Sequence, residues 1–423
     1  YYAEFLQRRE ADLRKGHLEE TLAEIDNIRP AWQRTIAQRK IADIHKCVLG
    51  LCILYQGPGL LQEGQTLFAE AADALRPRQA EELDEEHGAA LGLVLVMHGF
   101  FSAYLGQTEE GQELIEESLS LLRRLGARRE LAFAYGTAVA AGTLEDLSDA
   151  KRLLEERLAI SRELDDDLAA ARMLWLLGRV ALRQGATGDA ERYCREALSV
   201  SRRIDDDYDA AFALNFLGHT LYRRGEYAEA RQSYEKSLAL FVEMGQGWII
   251  GRLHSHLGDA ALALRQYESA RQHHQHALSV YEDVGVYWKE EPVATGTSWG
   301  VPVSLQRLGD VALALGDLAE ARRCYGMALD AASDRPEEGL EPHVLLGPAA
   351  LLAREGHAER AVEVAALARH HPASIEETQE KAGELLDGLQ AELSPDAYTA
   401  AEARGRARDL EATMRELLAE LHT

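Results

Sequence analysis

Cysteine, lysine and long apolar runs are scarce in this chain. Its 423 residues include four cysteines, Cys47, Cys52, Cys194 and Cys324, and none form a CxxC pair. That excludes a disulfide framework and suits a reducing, cytoplasmic setting, with the thiols packed in cores. Positive charge is also short: Lys and Arg total 46 against 71 Asp and Glu, for a net charge of −25. Phosphate backbones need a basic footprint, so direct nucleic-acid binding is not expected. The longest apolar run, Leu91 to Phe101, is interrupted by glycines and His98. It falls short of the roughly 20 residues a membrane span needs, so no membrane role is expected. The sequence shows no signal-peptide pattern, and none is expected. There is no GxxxxGK[ST] loop, and no Ser/His/Asp or Cys/His set can be justified from spacing. Hence no catalytic residue, metal site or cofactor is expected.

What is present is helix-forming: Ala, Leu, Glu and Arg dominate, with 46% apolar and 28% charged residues. One small residue also returns at fixed spacing. Gly111, Ala150, Ala190, Ala230 and Ala270 stand 39 to 40 apart, Ala321 follows 51 later and Ala361 another 40 later. Each lies five residues after a turn, as in Gly225-Glu226-Tyr227-Ala228-Glu229-Ala230. A period of this length marks a helical solenoid, in which each repeat buries its apolar face on its neighbours.

Four units align: Leu177-Gly178, Leu217-Gly218, Leu257-Gly258 and Leu308-Gly309 on a first helix, then a turn at Gly185, Gly225, Arg265 or Gly316. The second helix carries the small residue, with Cys194, Tyr234, His274 or Tyr325 four positions on and Ala197, Ser237, Ala277 or Ala328 three beyond that. This pattern resembles the tetratricopeptide repeat, lengthened from its usual 34 residues to 40. The same register extends outward through Leu105-Gly106 with Gly111, through Glu63-Gly64-Gln65, and through Gly356 with Ala361. The expected architecture is all-α, a right-handed superhelix of tetratricopeptide helical hairpins. Residues 1–89 lead into the array, 90–370 form it with an insertion at 286–301, and 371–423 cap it.

Two further stretches resemble a particular setting. The opening, Tyr1-Tyr2-Ala3-Glu4-Phe5-Leu6 and Glu24 through Trp32, is similar to the segment after the ATPase and winged-helix modules of bacterial STAND regulators, the multidomain signal-transduction ATPases of AfsR and MalT type. The ending, Ala391-Glu392-Leu393-Ser394 through Ala401-Glu402-Ala403-Arg404-Gly405-Arg406, resembles their closing helices. The resemblance implies a sensor arm, with a protein or peptide partner bound on the repeats and the ATPase upstream in the same protein. The chain, starting at Tyr1 in mid-pattern, is accordingly read as a piece of a larger one. A stand-alone tetratricopeptide adaptor and a quorum-sensing peptide receptor are the rival readings.

In that family the first helix of each pair lines the concave groove. Counting from the Leu-Gly glycine, positions −6, −3, +1, +4 and +5 are expected to face inward. They are Arg172, Trp175, Arg179, Leu182 and Arg183; Phe212, Asn215, His219, Tyr222 and Arg223; and Arg252, Ser255, Asp259, Leu262 and Ala263. Asn215 could offer its amide to a peptide backbone. Five arginines on one stretch would attract carboxylate or phosphate, with Trp175, Phe212 and Tyr222 as apolar anchors. A plain solvated helix face would show arginines at the same spacing. The second candidate is the insertion, with Tyr287, Trp288 and Trp299. Of the histidines at 254, 256, 273, 274 and 276, only His273 and His276 share a helix face, so a metal site is not expected. The runs Asp165-Asp166-Asp167 and Asp205-Asp206-Asp207 recur one repeat apart and are read as helix caps.

Overall fold

The computed structural model describes residues 1–14, 19–55, 60–77, 84–105, 107–141, 147–244, 247–284, 300–333 and 340–422. Among them every regular element is an α-helix. The insertion residues Tyr287, Trp288 and Trp299, and Gly106 of the proposed Leu-Gly pair, lie outside the described residues.

The chain divides into two compact units. Unit 1 takes in Tyr1–Leu253, and unit 2 takes in His254–Asp283 and the described residues from Gly300 onward. Unit 1 begins with α1 (Tyr2–Arg14), α2 (Glu19–Ala23) and α3 (Ile25–Ala37). Helical hairpins follow: α4 (Ile41–Tyr55) with α5 (Leu61–Leu75), α6 (Glu85–Tyr104) with α7 (Thr108–Leu125), and α8 (Arg128–Ala141) with α9 (Ser148–Glu163). Next come α10 (Asp167–Arg183) with α11 (Thr187–Arg203) and α12 (Asp207–Arg223) with α13 (Tyr227–Glu243). The boundary between the units falls within α14 (Gly247–Ala263). Unit 2 continues with α15 (Tyr267–Val284), α16 (Gly300–Leu315), α17 (Leu318–Ser333), α18 (Leu340–Val344), α19 (Leu346–Arg354) and α20 (Ala358–His370). It closes with α21 (Glu376–Gln390), α22 (Pro395–Arg406) and α23 (Leu410–Leu421).

The repeat is built by close approach inside each hairpin. Ala190, Ala230, Ala270, Ala321 and Ala361 are all fully buried. Opposite them, a Cβ added at Gly178 would meet Cys194 Sγ at 2.5 Å, one at Gly218 would meet the Tyr234 ring at 2.6 Å, and one at Gly309 the Tyr325 ring at 2.4 Å. Those separations leave no room for a methyl group, so the Leu-Gly glycine is what lets the large residue of the second helix fit. The turns need a left-handed residue, and Gly185, Gly225 and Gly316 supply it at φ of +74°, +79° and +81°. Arg265 takes the same role at φ +58° in the third pair, at a cost of about 1–2 kcal/mol.

The aspartate runs act as read. Asp165 and Asp205 turn the chain at φ +52° and +54°. Asp166 then caps α10 by accepting from Ala169 N at 3.0 Å, and Asp206 caps α12 by accepting from Tyr208 N at 3.2 Å.

Two sequence readings change. The glycine of the α6–α7 pair that matches Gly178 is Gly99: a Cβ there would sit 2.7 Å from Gly111 O. The spacing agrees, since 111 − 99 = 12 and 190 − 178 = 12. The Leu105-Gly106 pair is therefore seven residues out of register. The second change concerns α6. The apolar run Leu91 to Phe101 is short of a span, but the whole helix Glu85–Tyr104 is long and apolar enough to cross a membrane; 94% of its apolar window is buried inside the fold. A helix apolar on all sides is a core helix when protein surrounds it, and α4, α5, α7 and α8 do so here.

Candidate recognition surface

The first helices of successive hairpins share one face of unit 1, and that face encloses a groove. Its wider part is a cavity of about 630 Å³ lined by α4, α6, α8 and α10, with His45, Lys46, Arg129, Glu130, Phe133 and Arg172 among its walls. A narrower part of about 90 Å³ shares Leu49, Phe133, Arg172 and Met173 with it. There Phe100, Tyr104, Trp175, Tyr208 and Phe212 meet Arg172, Arg179 and Arg252.

The arginines are ordered by rings. Trp175 stacks on Phe212 at 4.7 Å and on Phe216 at 5.6 Å, nearly parallel to both. Its Nε1 donates to Asp209 Oδ1 at 2.9 Å. The same carboxylate oxygen lies 3.5 Å from Arg172 Nε, and Asp209 is fully buried. The Arg172 guanidinium lies 5.9 Å from the Tyr208 ring centre, and that of Arg179 lies 5.4 Å from Phe216. Burial pushes the Tyr208 hydroxyl well above the usual phenol range, so it stays a neutral donor. Each cation–ring contact contributes on the order of 1 kcal/mol. A guanidinium carries its N–H donors in its own plane, a fork that carboxylates match.

The solvated-face reading fails for these residues: Arg179 is 4% exposed and Arg252 is 6% exposed. It holds for Arg223, which is exposed and donates to Leu182 O at 3.4 Å. Arg183 and Arg223 are not among the groove-lining residues, so three of the five arginines converge there. His219 turns toward its own hairpin, with Nδ1 3.1 Å from the Tyr234 hydroxyl, and Tyr222 meets Tyr227 edge-on at 5.1 Å. Asn215 shares a helix stripe with Tyr208, Phe212 and His219, at spacings of seven, three and four residues. It is fully buried, and neither its oxygen nor its nitrogen has a hydrogen-bond partner among the described residues. It is not open to the groove as the sequence suggested. Leu182 is buried behind the groove, Leu262 is half-buried and Ala263 is exposed.

In unit 2 the corresponding positions do something else. Half-buried Ser255 lies 3.4 Å from the Tyr281 hydroxyl. Asp259 sits 3.0 Å from Arg307 Nε, and Arg307 also faces Asp310 at 3.1 Å and Glu377 at 3.8 Å. Tyr325 donates its hydroxyl proton to Asp310 at 2.8 Å, and Lys381 pairs with Glu377 at 2.5 Å. Burial raises the Asp259 carboxyl, with Arg307 opposing. Burial alone would raise Glu377 as well, but Lys381, His343 and Arg307 outweigh it and hold it at about 2.

Sequence reasoning missed the groove wall built by α4, α6 and α8. A signal for part of it was available. With Gly99 as the reference, positions −6, +1 and +5 are Leu93, Phe100 and Tyr104, and all three line the groove.

The comparisons with known proteins agree with this architecture. A family model described as Tetratricopeptide repeat matches residues 169–241, which span α10 to α13. A search of curated protein sequences finds no match. Among solved structures, a Rap protein complexed with Competence and Sporulation Factor superposes with a TM-score of 0.53 at 11% identity, covering 93% of this chain and 99% of that one. The apo form of RapI gives 0.50 at 16%, covering 88% and 97%. A signal transduction ATPase with numerous domains from Pyrococcus horikoshii, which has a tetratricopeptide repeat sensor, gives 0.46 at 15%. That match covers 80% of this chain, which spans only half of that protein's length. At such identities the likeness is one of fold.

Proposed function

We propose that this tetratricopeptide-repeat chain is a non-catalytic recognition arm, and that the groove of unit 1 takes a protein or peptide segment bearing an acidic group. The observation that carries the reading is the set of three largely buried arginines, Arg172, Arg179 and Arg252, placed among aromatic walls beside an open cavity. Aromatic anchors with a few placed charges are what a buried recognition pocket needs.

The finer reading is the sensor arm of a bacterial STAND-type regulator, acting in the cytoplasm with its ATPase upstream. It rests on the resemblance of the opening and closing stretches. Binding would shift the regulator only if the ligand favours one arm geometry over another. A peptide receptor without an ATPase is the second reading, favoured by the near full-length fold match to a Rap protein complexed with Competence and Sporulation Factor. The coding sequence upstream of the chain separates the two.

The test of the groove is a displayed peptide library panned on the whole chain. Selected peptides should pair an acidic residue with apolar ones. Arg179→Gln combined with Arg252→Gln should weaken them at least about tenfold, the loss of roughly one charge-assisted bond. Peptides bound equally well by the folded double variant would sink the proposal.

A further inference from the structure

The groove of unit 1 has a direction along its helices. On α8, Arg129 and Glu130 face the wide part, and Gly136 and Thr137 face the narrow part. On α10 the order is Leu168 and Ala169, then Trp175 and Arg179. In α4 and α6, too, the earlier residues line the wide part and the later ones the narrow part. The four helices therefore run in one sense along the groove, and their first turns surround its wide part.

That part carries cations of its own. Lys46 on α4, Arg129 on α8 and Arg157 on α9 line it. Lys46 and Arg129 are exposed and Arg157 is half-buried. None of the three forms an ion pair among the described residues. Arginines beside them that do not line the cavity are paired: Arg128 faces Glu156 at 3.1 Å and Arg152 faces Asp149 at 3.3 Å. The carboxylates on the same walls are Glu86, Glu130 and Asp166. Glu130 is engaged by His45 Nε2 at 3.2 Å, a contact that holds its carboxyl below the usual range. Asp166 is engaged as the cap of α10. Only the exposed Glu86 opposes the three cations without such a role.

We infer that Lys46, Arg129 and Arg157 form a second anionic subsite, so that the groove selects peptides with two acidic side chains three to five residues apart. The inference rests on the peptide-binding reading of this groove. One carboxylate meets Arg179 and Arg252 in the narrow part, and the other meets the three cations in the wide part. Arg172, between them, is held by Asp209 at 3.5 Å. The spacing follows from the helices. Arg129 stands eight residues before Thr137, and Ala169 stands ten before Arg179. At a helical rise of about 1.5 Å per residue these are roughly 12 and 15 Å. An extended peptide advances about 3.3 Å per residue, so it covers that distance in roughly four residues, and long side chains widen the range by about one either way. A concave wall focuses the field of clustered cations, which draws an anion there although the whole chain carries −25.

The test pans the whole chain with a displayed library in which one Glu is fixed and the flanking positions are random. The expected result is a second Asp or Glu enriched three to five positions from the fixed one. Selected peptides are then synthesised with the second acid kept or changed to Gln and compared by calorimetry. The two-acid form should bind about tenfold tighter. Lys46→Gln with Arg129→Gln and Arg157→Gln should erase that advantage, whereas Arg179→Gln with Arg252→Gln should weaken both forms alike. Arg128→Gln with Arg152→Gln and Arg162→Gln is the control: it removes the same charge from exposed arginines outside the cavity and should keep the advantage. Enriched peptides with no second acid overturn the subsite and leave the groove reading standing. An advantage that survives loss of the three cations, or is lost equally in the control, does the same. No enriched peptide at all overturns both.

Discussion

Units 1 and 2 use the same repeat register to opposite ends. In unit 1 the inward positions put Arg172, Arg179 and Arg252 beside a cavity, the first two near aromatic rings. In unit 2 they put Asp259 and Asp310 around Arg307, and α21 adds Glu377 and Lys381. Unit 2 neutralises its buried charges with other charges. Unit 1 sets two of its cations near π faces, Arg172 by Tyr208 and Arg179 by Phe216, and gives Arg172 the Asp209 carboxylate as well. A period fixes where side chains point and leaves the chemistry of each position free. One register can therefore build a structural ion network in one place and a recognition groove in another.

The largest expected effect tests the structural half of that contrast. Arg307→Ala leaves the largely buried Asp259 carboxylate without its cation, while Glu377 keeps Lys381, and removing one partner from a buried ionic cluster costs about 3–5 kcal/mol. Denaturant unfolding should show a loss of that size. A loss under about 1 kcal/mol would mean the network does not hold unit 2 together.

The next effect is a pH dependence centred on unit 2. Burial, then Arg307, pushes His274 down to about 3, and burial, then Lys381, does the same to His343. Both fold neutral, whereas the unfolded chain protonates them below the ordinary value near 6.5. Stability is therefore at its plateau above about pH 6.5 and falls as the pH drops through the range from 6.5 toward 3. Each group contributes a loss of about 1.4 kcal/mol for each pH unit in that window. Thermal unfolding at pH 7.5 and 5.5 should show a lower Tm at 5.5, and His343→Leu should shrink the difference. An unchanged Tm would argue against neutral burial of both rings.

The smallest effect lies in unit 1. Asp206→Ala removes the cap of α12, which positions Tyr208, Phe212 and Asp209, and should cost about 1 kcal/mol. Denaturation should register that loss, with a modest weakening of peptide binding. If binding falls more than about tenfold at unchanged stability, the cap acts on the groove directly and the division between support and site needs redrawing.

Helices, hairpin turns and the core register were legible because they depend on local spacing. The small residue every 40 positions and the Leu-Gly pair placed Ala190, Ala230, Ala270 and Ala321 in the core without any knowledge of the fold. The register slipped where the signal weakened, at Gly99 and Leu105-Gly106, because one Leu-Gly pair looks like another until its partner Gly111 is seen across the hairpin. The site was half legible: Arg172, Trp175, Arg179, Phe212 and Arg252 line the groove, while Cys52, Met97, Phe133 and the rest of the far wall come from helices 40 to 130 residues earlier.

The sequence by itself determined that this chain forms helical hairpins, where they turn and which small residues they bury. Those features arise from contacts within about 20 residues along the chain, and the 3.6-residue helix period records them. Tertiary structure alone decided that Arg179 and Arg252 are buried and Arg223 exposed, that Asn215 is sealed in, and that His254 meets His273 and His276. Burial and charge environment depend on which helix lies across from a residue. Periodicity gives each side chain a direction, and only packing supplies what stands opposite.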